Sequence, residues 1–251
     1  MILSSSKTLS SGLKRQSAIA NANLFWFVPV TISFLHYITR YKIRSHRKIR
    51  SDFLKEFQQN SERPMIFVAN HLTLIDSFLI IWAIFDWKSP RKTLKGFCWN
   101  VPEISNFGQN FLLRFFCYLG KCVYVARQGS LSTKRETLKK LAFLLSEKQS
   151  ICIFPEGGRS RSGRIDLDST NYGVGELYRQ NPDALIYCLY VRGDKQKTYS
   201  NFPAKGDNFT FLWEKVSVNS QERGKRFDRD ISLQLMQKLI EMESRYFTDR
   251  K

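Results

Sequence analysis

A histidine and an aspartate in one short segment of the chain have the residue types needed to abstract a proton. His71 is one of three histidines, and Asp76 follows it within residues 66–78. A carboxylate that binds one ring nitrogen of a histidine fixes its tautomer and stabilises the imidazolium that forms when the other nitrogen takes a proton. The pair therefore has the composition of a general base with its orienting group.

The elements around this pair decide whether the two side chains can meet. In one continuous helix, residues five apart lie about 140° apart around the axis and cannot touch. The sequence instead predicts a buried strand at residues 65–69, a polar turn, and a helix that begins near Thr73. Such a turn can bring Asp76 back to His71. A simpler interpretation stays open, because residues 73–76 also fit a helix capping box and His71 could be an ordinary turn histidine.

Two further segments place arginines where predicted strands end. The apolar run at residues 122–126 is followed by Arg127, and the run at 151–154 leads into a glycine-containing turn with Arg159. Ligands of open α/β sheets bind outside the carboxyl ends of the strands, where a guanidinium suits a phosphate. Glycines let the backbone approach an oxyanion closely. The alternatives are a solvated arginine and a basic surface turn.

The net charge of the 251-residue chain is +18. It predicts an anionic partner, which could be a phospholipid surface, a nucleic acid or an acidic carrier protein. The 20 phenylalanines indicate a large apolar interior or a membrane-contacting face rather than a disordered basic tail. The five cysteines form no CxxC pair, so we expect free thiols in a reducing compartment and neither a zinc site nor a disulfide framework.

The N-terminal part of the chain differs in composition from the rest. Residues 16–39 carry no charged side chain, and their apolar centre is close to the length of about 20 residues that a membrane span needs. Polar residues within it favour a helix, or a kinked pair of helices, that lies in the membrane interface. A cleaved signal peptide fits less well, because no small-residue cleavage site follows the run. A buried helix of the core is the remaining alternative.

A basic block comes directly after this apolar run. It contains no acidic residue, and its six basic residues are Arg40, Lys42, Arg44, Arg47, Lys48 and Arg50. By the positive-inside bias, this flank stays on the cytosolic side and meets anionic headgroups. We therefore predict an N-terminal membrane-associating helical segment with a basic flank over residues 1–60.

From residue 61 onward, strand-like and helical patterns alternate. A capping box at Thr133 predicts the clearest helix, and another helix near the C-terminus places Leu235 and Leu239 on one stripe. Residues 209–213 could form a later, antiparallel strand, and residues 105–119 a helix that flanks an apolar pocket or touches lipid. The strand-like runs lie at 65–69, 122–126, 151–154 and 185–191. The pattern predicts an α/β domain over residues 61–251, with a mostly parallel central sheet flanked by helices.

The three chemical segments occur together in the order and approximate spacing of a known family. Asn70-His71 with Asp76, then Arg127, then Phe154-Pro155-Glu156-Gly157-Gly158-Arg159-Ser160 resembles the glycerolipid acyltransferases, which include the 1-acyl-glycerol-3-phosphate acyltransferases. The motifs cover residues 65–165, and the resemblance in fold extends to residue 220. The H-x-x-x-x-D element alone is short, whereas its combination with F-P-E-G-x-R-S and the intervening arginine is specific.

The resemblance implies a membrane-associated O-acyltransferase with its active site on the cytosolic face, at the cytoplasmic membrane if the source is bacterial. His71 would be the general base for an acceptor hydroxyl, and Asp76 would orient it. The hydroxyl would attack the thioester of an acyl-CoA or an acyl carrier protein, with no metal or further cofactor. The acceptor would be a lysophospholipid such as 1-acyl-glycerol-3-phosphate, giving phosphatidic acid. Its binding residues would be Asn70, Arg127, Glu156, Gly157, Gly158, Arg159 and Ser160.

Two positions depart from the usual pattern of that family. Gly158 stands where a threonine is usual, and residues 186–191, which match the fourth motif, lack its proline. Both departures concern the acceptor pocket. An acyltransferase of the same fold that uses a different lipid hydroxyl is therefore kept as an alternative.

Other classes of function fit the sequence less well. A serine hydrolase is disfavoured, because the nearest match to G-x-S-x-G, residues 158–162, lacks the last glycine and no histidine follows it. A nucleic-acid binder would explain the charge but not the uncharged N-terminal run, so we expect no nucleic-acid partner. A non-catalytic protein that binds anionic membranes is the more serious rival, and the intact His71 and Asp76 count against it.

Overall fold

A five-stranded sheet forms the centre of the fold in a computed structural model of the chain. The structure describes the backbone of residues 2–86 and 88–249 and the side chains of residues 10–86 and 88–249. Within these residues the strands follow the spatial order β1-β5-β4-β2-β3. Their bounds are Lys42–Ile43 (β1), Met65–Ala69 (β2), Ser150–Ile153 (β3), Leu185–Gly193 (β4) and Asn208–Val216 (β5).

The sheet is mostly parallel, as predicted. β2 pairs in parallel with both β3 and β4, and β1 pairs in parallel with β5. The β4–β5 pair is antiparallel, which confirms the direction predicted for residues 209–213. All five residues of β2 are buried, because helices cover both faces of the sheet. The predicted α/β fold class is confirmed.

The strand predicted at residues 122–126 is replaced by isolated bridges. Cys122 bridges Asn100 and Val125 bridges Glu103, both in parallel. The Val125 N–H donates to the carbonyl of Pro102 at 3.0 Å, but Pro102 has no N–H to continue the ladder. The segment therefore extends the sheet edge beyond β3 without forming a regular strand.

Helices pack on both faces of the sheet. Alternate residues of β2 point to opposite faces, so Phe67 joins a core with α1, α2 and α3, whereas Ile66 and Val68 join a core with α6, α7 and α8. The predicted stripe of α8 is buried, including Leu235 and Leu239. The helices are Ile2–Ser33 (α1), His46–Gln59 (α2), Asp76–Ile84 (α3), Ile104–Phe107 (α4), Phe111–Leu119 (α5), Leu131–Ser146 (α6), Gly173–Gln180 (α7) and Gly224–Thr248 (α8).

Helix α6 begins two residues before the predicted capping box. Ser130 is its N-cap, and the Ser130 hydroxyl accepts a hydrogen bond from the N–H of Thr133 at 3.3 Å. Glu136, the expected second half of the box, pairs with Lys140 at 2.8 Å instead. A serine that precedes the threonine therefore takes the capping role, and the box at Thr133 is corrected.

The N-terminal helix has one buried and one exposed face. Residues 10–38 are long and apolar enough to cross a membrane by length and composition. Leu24 and Phe27 nevertheless join the core, whereas Phe25, at 67% exposure, and Val30 face outward. α1 continues into a wider π-helical turn at Phe34–Ile38. The helix thus combines features of a core helix with an apolar outer surface.

Part of the basic block is used inside the fold. Arg50 donates to the carbonyl of Trp82 at 3.1 Å, and His46 lies 2.8 Å from the same oxygen, so α2 caps the end of α3. Arg44 forms a two-point ion pair with Asp194, at 2.6 and 2.7 Å. α2 also shares a core with the sheet. The division of the chain into two domains at residue 60 rests on sequence composition alone and stays a prediction.

Candidate active site

The turn between β2 and α3 brings His71 and Asp76 together. β2 ends at Ala69, and α3 begins at Asp76 rather than near Thr73. The later start of the helix leaves six residues for the turn, and the Asp76 carboxylate reaches back over it. Nδ1 of His71 lies 3.0 Å from Oδ2 of Asp76. With Nδ1–H donating to the carboxylate, Nε2 carries the lone pair that can accept a proton.

Asp76 also holds the turn itself. Its Oδ2 accepts hydrogen bonds from the backbone N–H groups of Leu72 at 2.6 Å and Thr73 at 2.8 Å, and its Oδ1 accepts from the Thr73 hydroxyl at 2.5 Å. The Thr73 hydroxyl in turn accepts from the N–H of Ile75. One buried carboxylate therefore contacts the imidazole and closes the turn. The predicted capping box at residues 73–76 is wrong, because the N-cap of α3 is Ile75, and the role of His71 as a base stays a prediction.

The ring of His71 is held between this carboxylate and an aromatic side chain. Phe154 stacks on it, with 4.3 Å between the ring centroids and 23° between the planes. The His71 side chain is 12% exposed. Packing on one face and a hydrogen bond at Nδ1 leave the ring little freedom to rotate.

Glu156 and Ser160 bind the backbone of His71 from the neighbouring turn. Oε1 of Glu156 accepts from the His71 N–H at 3.1 Å, and the Ser160 N–H donates to the His71 carbonyl at 2.8 Å. The Ser160 hydroxyl donates to the other oxygen of Glu156. Burial raises the pKa of Glu156 to about 7. The structure thus gives both residues a contact with the candidate base that the sequence did not reveal, and their contact with an acceptor stays a prediction.

Asn70 is tied to β4. Its Nδ2 donates to the carbonyl of Val191 at 3.0 Å, and its Oδ1 accepts from the Val191 N–H at 2.8 Å. The side chain is buried, and the amide uses both of its groups on one residue. Asn70 therefore continues the β2–β4 pairing one residue past the strand. The Asn70 side chain thus joins β2 to β4, which differs from the predicted contact with substrate.

Arg127 lies beside the Gly158 backbone, and Arg159 is close enough for its charge to act on Arg127. A side chain built at Gly158 would place its Cβ 3.7 Å from Nη1 of Arg127. Arg127 is held by Glu103, whose carboxylate forms an ion pair with its Nε at 3.3 Å and accepts a hydrogen bond from its backbone N–H at 3.0 Å. Burial lowers the pKa of Arg127, and the charge of Arg159 lowers it further. Two nearby arginines, one of them beside a glycine backbone, form an arrangement whose charge a bound phosphate would neutralise.

Gly157 and Gly158 differ in what the fold demands of them. Gly157 has φ +63°, and a Cβ there would lie 2.2 Å from Nδ2 of Asn171. Only glycine fits this position without displacing Asn171. Gly158 has no such restriction, because its Cβ would meet only Arg127. The space beside Gly158 is open to a ligand or to a side chain.

One family of known proteins matches the part of the chain that contains this site. The sequence model of the Acyltransferase family matches residues 46–191, which is more than half of the chain. The chain belongs to the Acyltransferase family. The matched region contains α2, the sheet strands β2 and β3, most of β4 and all the site residues described above. It leaves α1, β5 and α8 outside.

One curated protein and one solved structure are similar to this chain. A 1-acyl-sn-glycerol-3-phosphate acyltransferase from Cocos nucifera is 30% identical over 111 residues, which cover 44% of this chain and 32% of that protein. The chain thus matches about a third of the length of this curated relative. The crystal structure of the 1-acyl-sn-glycerophosphate (LPA) acyltransferase PlsC from Thermotoga maritima superposes with a TM-score of 0.44 and 15% identity. That superposition covers 90% of this chain and 97% of the other.

Proposed function

We propose that this member of the Acyltransferase family is an O-acyltransferase that moves a fatty acyl group from an acyl thioester to a lysophospholipid hydroxyl. The proposed acceptor is 1-acyl-glycerol-3-phosphate, and the product is phosphatidic acid. The observation that carries the proposal is the His71–Asp76 contact, next to a turn where Arg127 lies beside Gly158 and within reach of the charge of Arg159. The name of the Cocos nucifera relative supports the choice of acceptor.

The geometry suits a general-base mechanism. Nε2 of His71 takes the proton of the acceptor hydroxyl as that oxygen attacks the thioester carbonyl carbon. The tetrahedral intermediate then collapses, the C–S bond breaks, and the imidazolium returns the proton to the leaving thiolate. Asp76 keeps Nδ1 protonated and stabilises the imidazolium. Because a thioester is already activated, base catalysis and positioning supply the rate enhancement without a covalent enzyme intermediate.

The arginines provide the affinity for the acceptor headgroup. Guanidinium groups bind phosphate through paired N–H donors, and two of them together favour a doubly charged phosphate monoester over an uncharged lipid. Arg127 is half-buried and fixed by Glu103, so it loses little conformational freedom on binding. The open space at Gly158 gives the glycerol or phosphate direct access to the backbone.

The exposed apolar surface supports an active site at a membrane. Two neighbouring helices contribute to this surface, since Phe27 of α1 lies 6.2 Å from Phe116 of α5 between ring centroids. The first six residues of α5 are all exposed, and Phe111 reaches 78%. Exposed surfaces built from many large apolar side chains mark membrane or protein contacts. The remaining side chains of this surface are Phe25, Trp26, Val30, Phe34, Tyr37, Ile38, Leu112, Leu113 and Phe115.

The net charge of +18 suits an anionic membrane and an acidic carrier protein equally, so the donor is either an acyl-CoA or an acyl carrier protein thioester. The basic residues after α1 are the reason for proposing that the active site lies on the cytosolic face. The membrane, the lysophospholipid and the thioester donor are therefore the proposed partners, with no metal and no other cofactor.

A thiol-release assay tests the proposal. The purified chain is offered acyl-CoA and acyl carrier protein donors with a panel of lysophosphatidic acid, other lysophospholipids and monoacylglycerol. We expect the fastest thiol release with lysophosphatidic acid and almost none with monoacylglycerol, which has no phosphate. Release that is equal for the wild type and His71→Ala, or no release with any acceptor, would contradict the proposed reaction.

A further inference from the structure

The loop between β4 and β5, residues 194–207, contacts both halves of the candidate site. The N–H of Ser200 donates to the carbonyl of Leu72 at 3.0 Å, and the N–H of Leu74 donates to the carbonyl of Asn201 at 3.2 Å. The backbone of residues 200–201 therefore runs along the turn that holds His71 and Asp76. This loop lies outside residues 46–191, the region that matches the family.

The same segment holds the guanidinium of Arg159. Nη1 of Arg159 donates to Oδ1 of Asn201 at 2.7 Å and to the carbonyl of Ser200 at 3.1 Å. The ring of Tyr199 lies 5.3 Å from the guanidinium carbon, within the range of a cation–π contact. Three consecutive residues thus contact one arginine from a distance of about 40 positions along the chain.

The start of the loop is anchored by a buried arginine. Arg192, at the end of β4, donates from Nη1 to the carbonyl of Gly163 at 2.5 Å. Its Nη2 donates to the carbonyls of Gln196 and Lys197, both at 2.9 Å. Gly163 lies in the turn that follows Arg159, so Arg192 ties this turn to the loop. The contacts to Arg159 therefore come from a segment that is fixed at its base.

These contacts leave one defined edge of Arg159 for a ligand. A guanidinium has five N–H donors, and the two on Nη1 are used by Asn201 and Ser200. The donors on Nε and Nη2 form the edge that matches two oxygens of a phosphate. An unrestrained arginine loses about 2 kcal/mol of rotamer entropy when it is ordered, and a guanidinium already held in place loses less.

We propose that Asn201 is a positioning residue of the acceptor site, which acts through Arg159 and turns its Nε–Nη2 edge towards the acceptor phosphate. The proposal rests on the proposed function, because it takes the ligand to be a phosphorylated glycerolipid. Ser200 contributes only its backbone to this contact, so Asn201 is the residue of the loop whose side chain can be tested by substitution. Its exposed position means that the substitution leaves the core intact.

A double-mutant cycle tests the inference on the full-length protein. Binding of sn-glycerol 3-phosphate is measured by calorimetry for the wild type, Asn201→Leu, Arg159→Ala and the double variant, with glycerol as the ligand without phosphate. We expect Asn201→Leu to weaken binding about tenfold, the worth of one hydrogen bond to a charged group. In the Arg159→Ala background the same substitution should change nothing further. Asn219→Leu is the matched control, since Asn219 is an exposed asparagine of a different loop.

Turnover gives a second measurement with the same variants. Asn201→Leu should raise the apparent KM for a phosphorylated acceptor about tenfold, with little change in kcat or in the KM for the donor. The inference would be overturned if Asn201→Leu weakened binding equally in the wild-type and Arg159→Ala backgrounds, or had no effect on binding in either. It would also be overturned if the wild type did not bind sn-glycerol 3-phosphate. A cycle that shows coupling in a protein without thiol release would uphold the role of Asn201 at a phosphate site and reject the proposed reaction.

Discussion

Nδ1 of His71 lies 3.0 Å from Oδ2 of Asp76, and that oxygen also accepts the backbone N–H groups of Leu72 and Thr73. The group that orients the imidazole is therefore fixed by the same turn that it closes. A substitution of Asp76 would change the turn as well as the ring, whereas a substitution of His71 would remove the candidate base and its stacking on Phe154 but leave the hydrogen bonds of the turn in place. This difference separates a catalytic from a structural role.

The first prediction concerns these two residues. His71→Ala should lower kcat/KM for thiol release about 10²–10⁴-fold, the usual contribution of a general base, and lower the unfolding temperature less than Asp76→Ala does. Asp76→Ala should lower both activity and stability, because buried N–H donors lose their acceptor at a cost of about 1–3 kcal/mol. Thiol release and thermal unfolding measure the two effects. His36→Ala, which removes an exposed imidazole of the π-helical turn after α1, is the control, and full turnover in His71→Ala would end the catalytic hypothesis.

The second prediction concerns the two arginines at Gly158. Arg127→Ala and Arg159→Ala should each raise the apparent KM for a phosphorylated acceptor by about one to two orders of magnitude, since a charge-assisted contact is worth about 1.5–3 kcal/mol. The KM for the acyl donor should change much less. Arg161→Ala is the matched control, because Arg161 is an exposed arginine of the same turn. A larger rise in the KM for the donor than in the KM for the acceptor would indicate that the acceptor phosphate binds elsewhere.

The third prediction uses the two neighbouring glycines. Gly157→Ala should destabilise the protein by more than about 1 kcal/mol, because its φ is positive and its Cβ would collide with Asn171. Gly158→Ala should fold normally, since the space around it is open. Urea unfolding of both variants checks this contrast. Equal stability of the two variants would mean that the turn relaxes without cost and that the geometry at Gly157 imposes no requirement.

The sequence predicted those parts of the fold that depend on local pattern. β2 was predicted with its observed bounds, because five consecutive apolar residues between polar turns are typical of a strand buried on both faces. The turn after β2 meets the turn after β3 because these two strands pair in parallel, with Val68 opposite Ile153. Parallel strands end at the same edge of a sheet, so His71 and Glu156 had to lie close together.

The parts that were not predicted depend on contacts between distant segments. Nothing in the sequence of residues 199–201 indicates that they bind Arg159, because the loop has no periodicity and no motif. The bridges at residues 122–126 likewise depend on Pro102 in a partner segment about 20 residues earlier, which interrupts the ladder. The roles of Asn70, Glu156 and Ser160 in holding the backbone were missed because a motif gives residue types and not their orientation.

The fourth prediction concerns the exposed apolar surface of α1 and α5. Deletion of the N-terminal segment is a poor test, since Leu24 and Phe27 belong to the core. Phe111→Ser with Phe115→Ser in α5 should instead weaken binding to anionic phospholipid vesicles by about tenfold or more, because each exposed phenylalanine buries apolar area worth about 1.5–3 kcal/mol when fully inserted.

Vesicle co-sedimentation measures this binding, and far-ultraviolet circular dichroism confirms that the variant is folded. Leu131→Ser with Phe202→Ser is the control, because these apolar side chains are also exposed but lie in α6 and in the β4–β5 loop. Unchanged co-sedimentation of the α5 variant would show that this helix faces water or another protein.

The last prediction follows from the burial that raises the pKa of Glu156 to about 7, above its ordinary value of 4.5. Between these pH values the folded protein keeps a proton that the unfolded chain has released. The contribution of Glu156 to stability therefore falls as the pH rises from about 4.5 to about 7, and the loss is complete above pH 7, at most on the order of 3 kcal/mol.

Glu156→Gln has no carboxyl group to titrate and keeps an oxygen for the His71 N–H, so it should lack this part of the pH dependence. Urea unfolding at pH 5 and pH 8 should show that the variant gains stability relative to the wild type as the pH rises. Glu222→Gln, which changes an exposed carboxylate, is the control. Parallel pH profiles for the wild type and Glu156→Gln would mean that Glu156 is ionised throughout. The two hydrogen bonds from His71 and Ser160 would then outweigh burial in setting its charge.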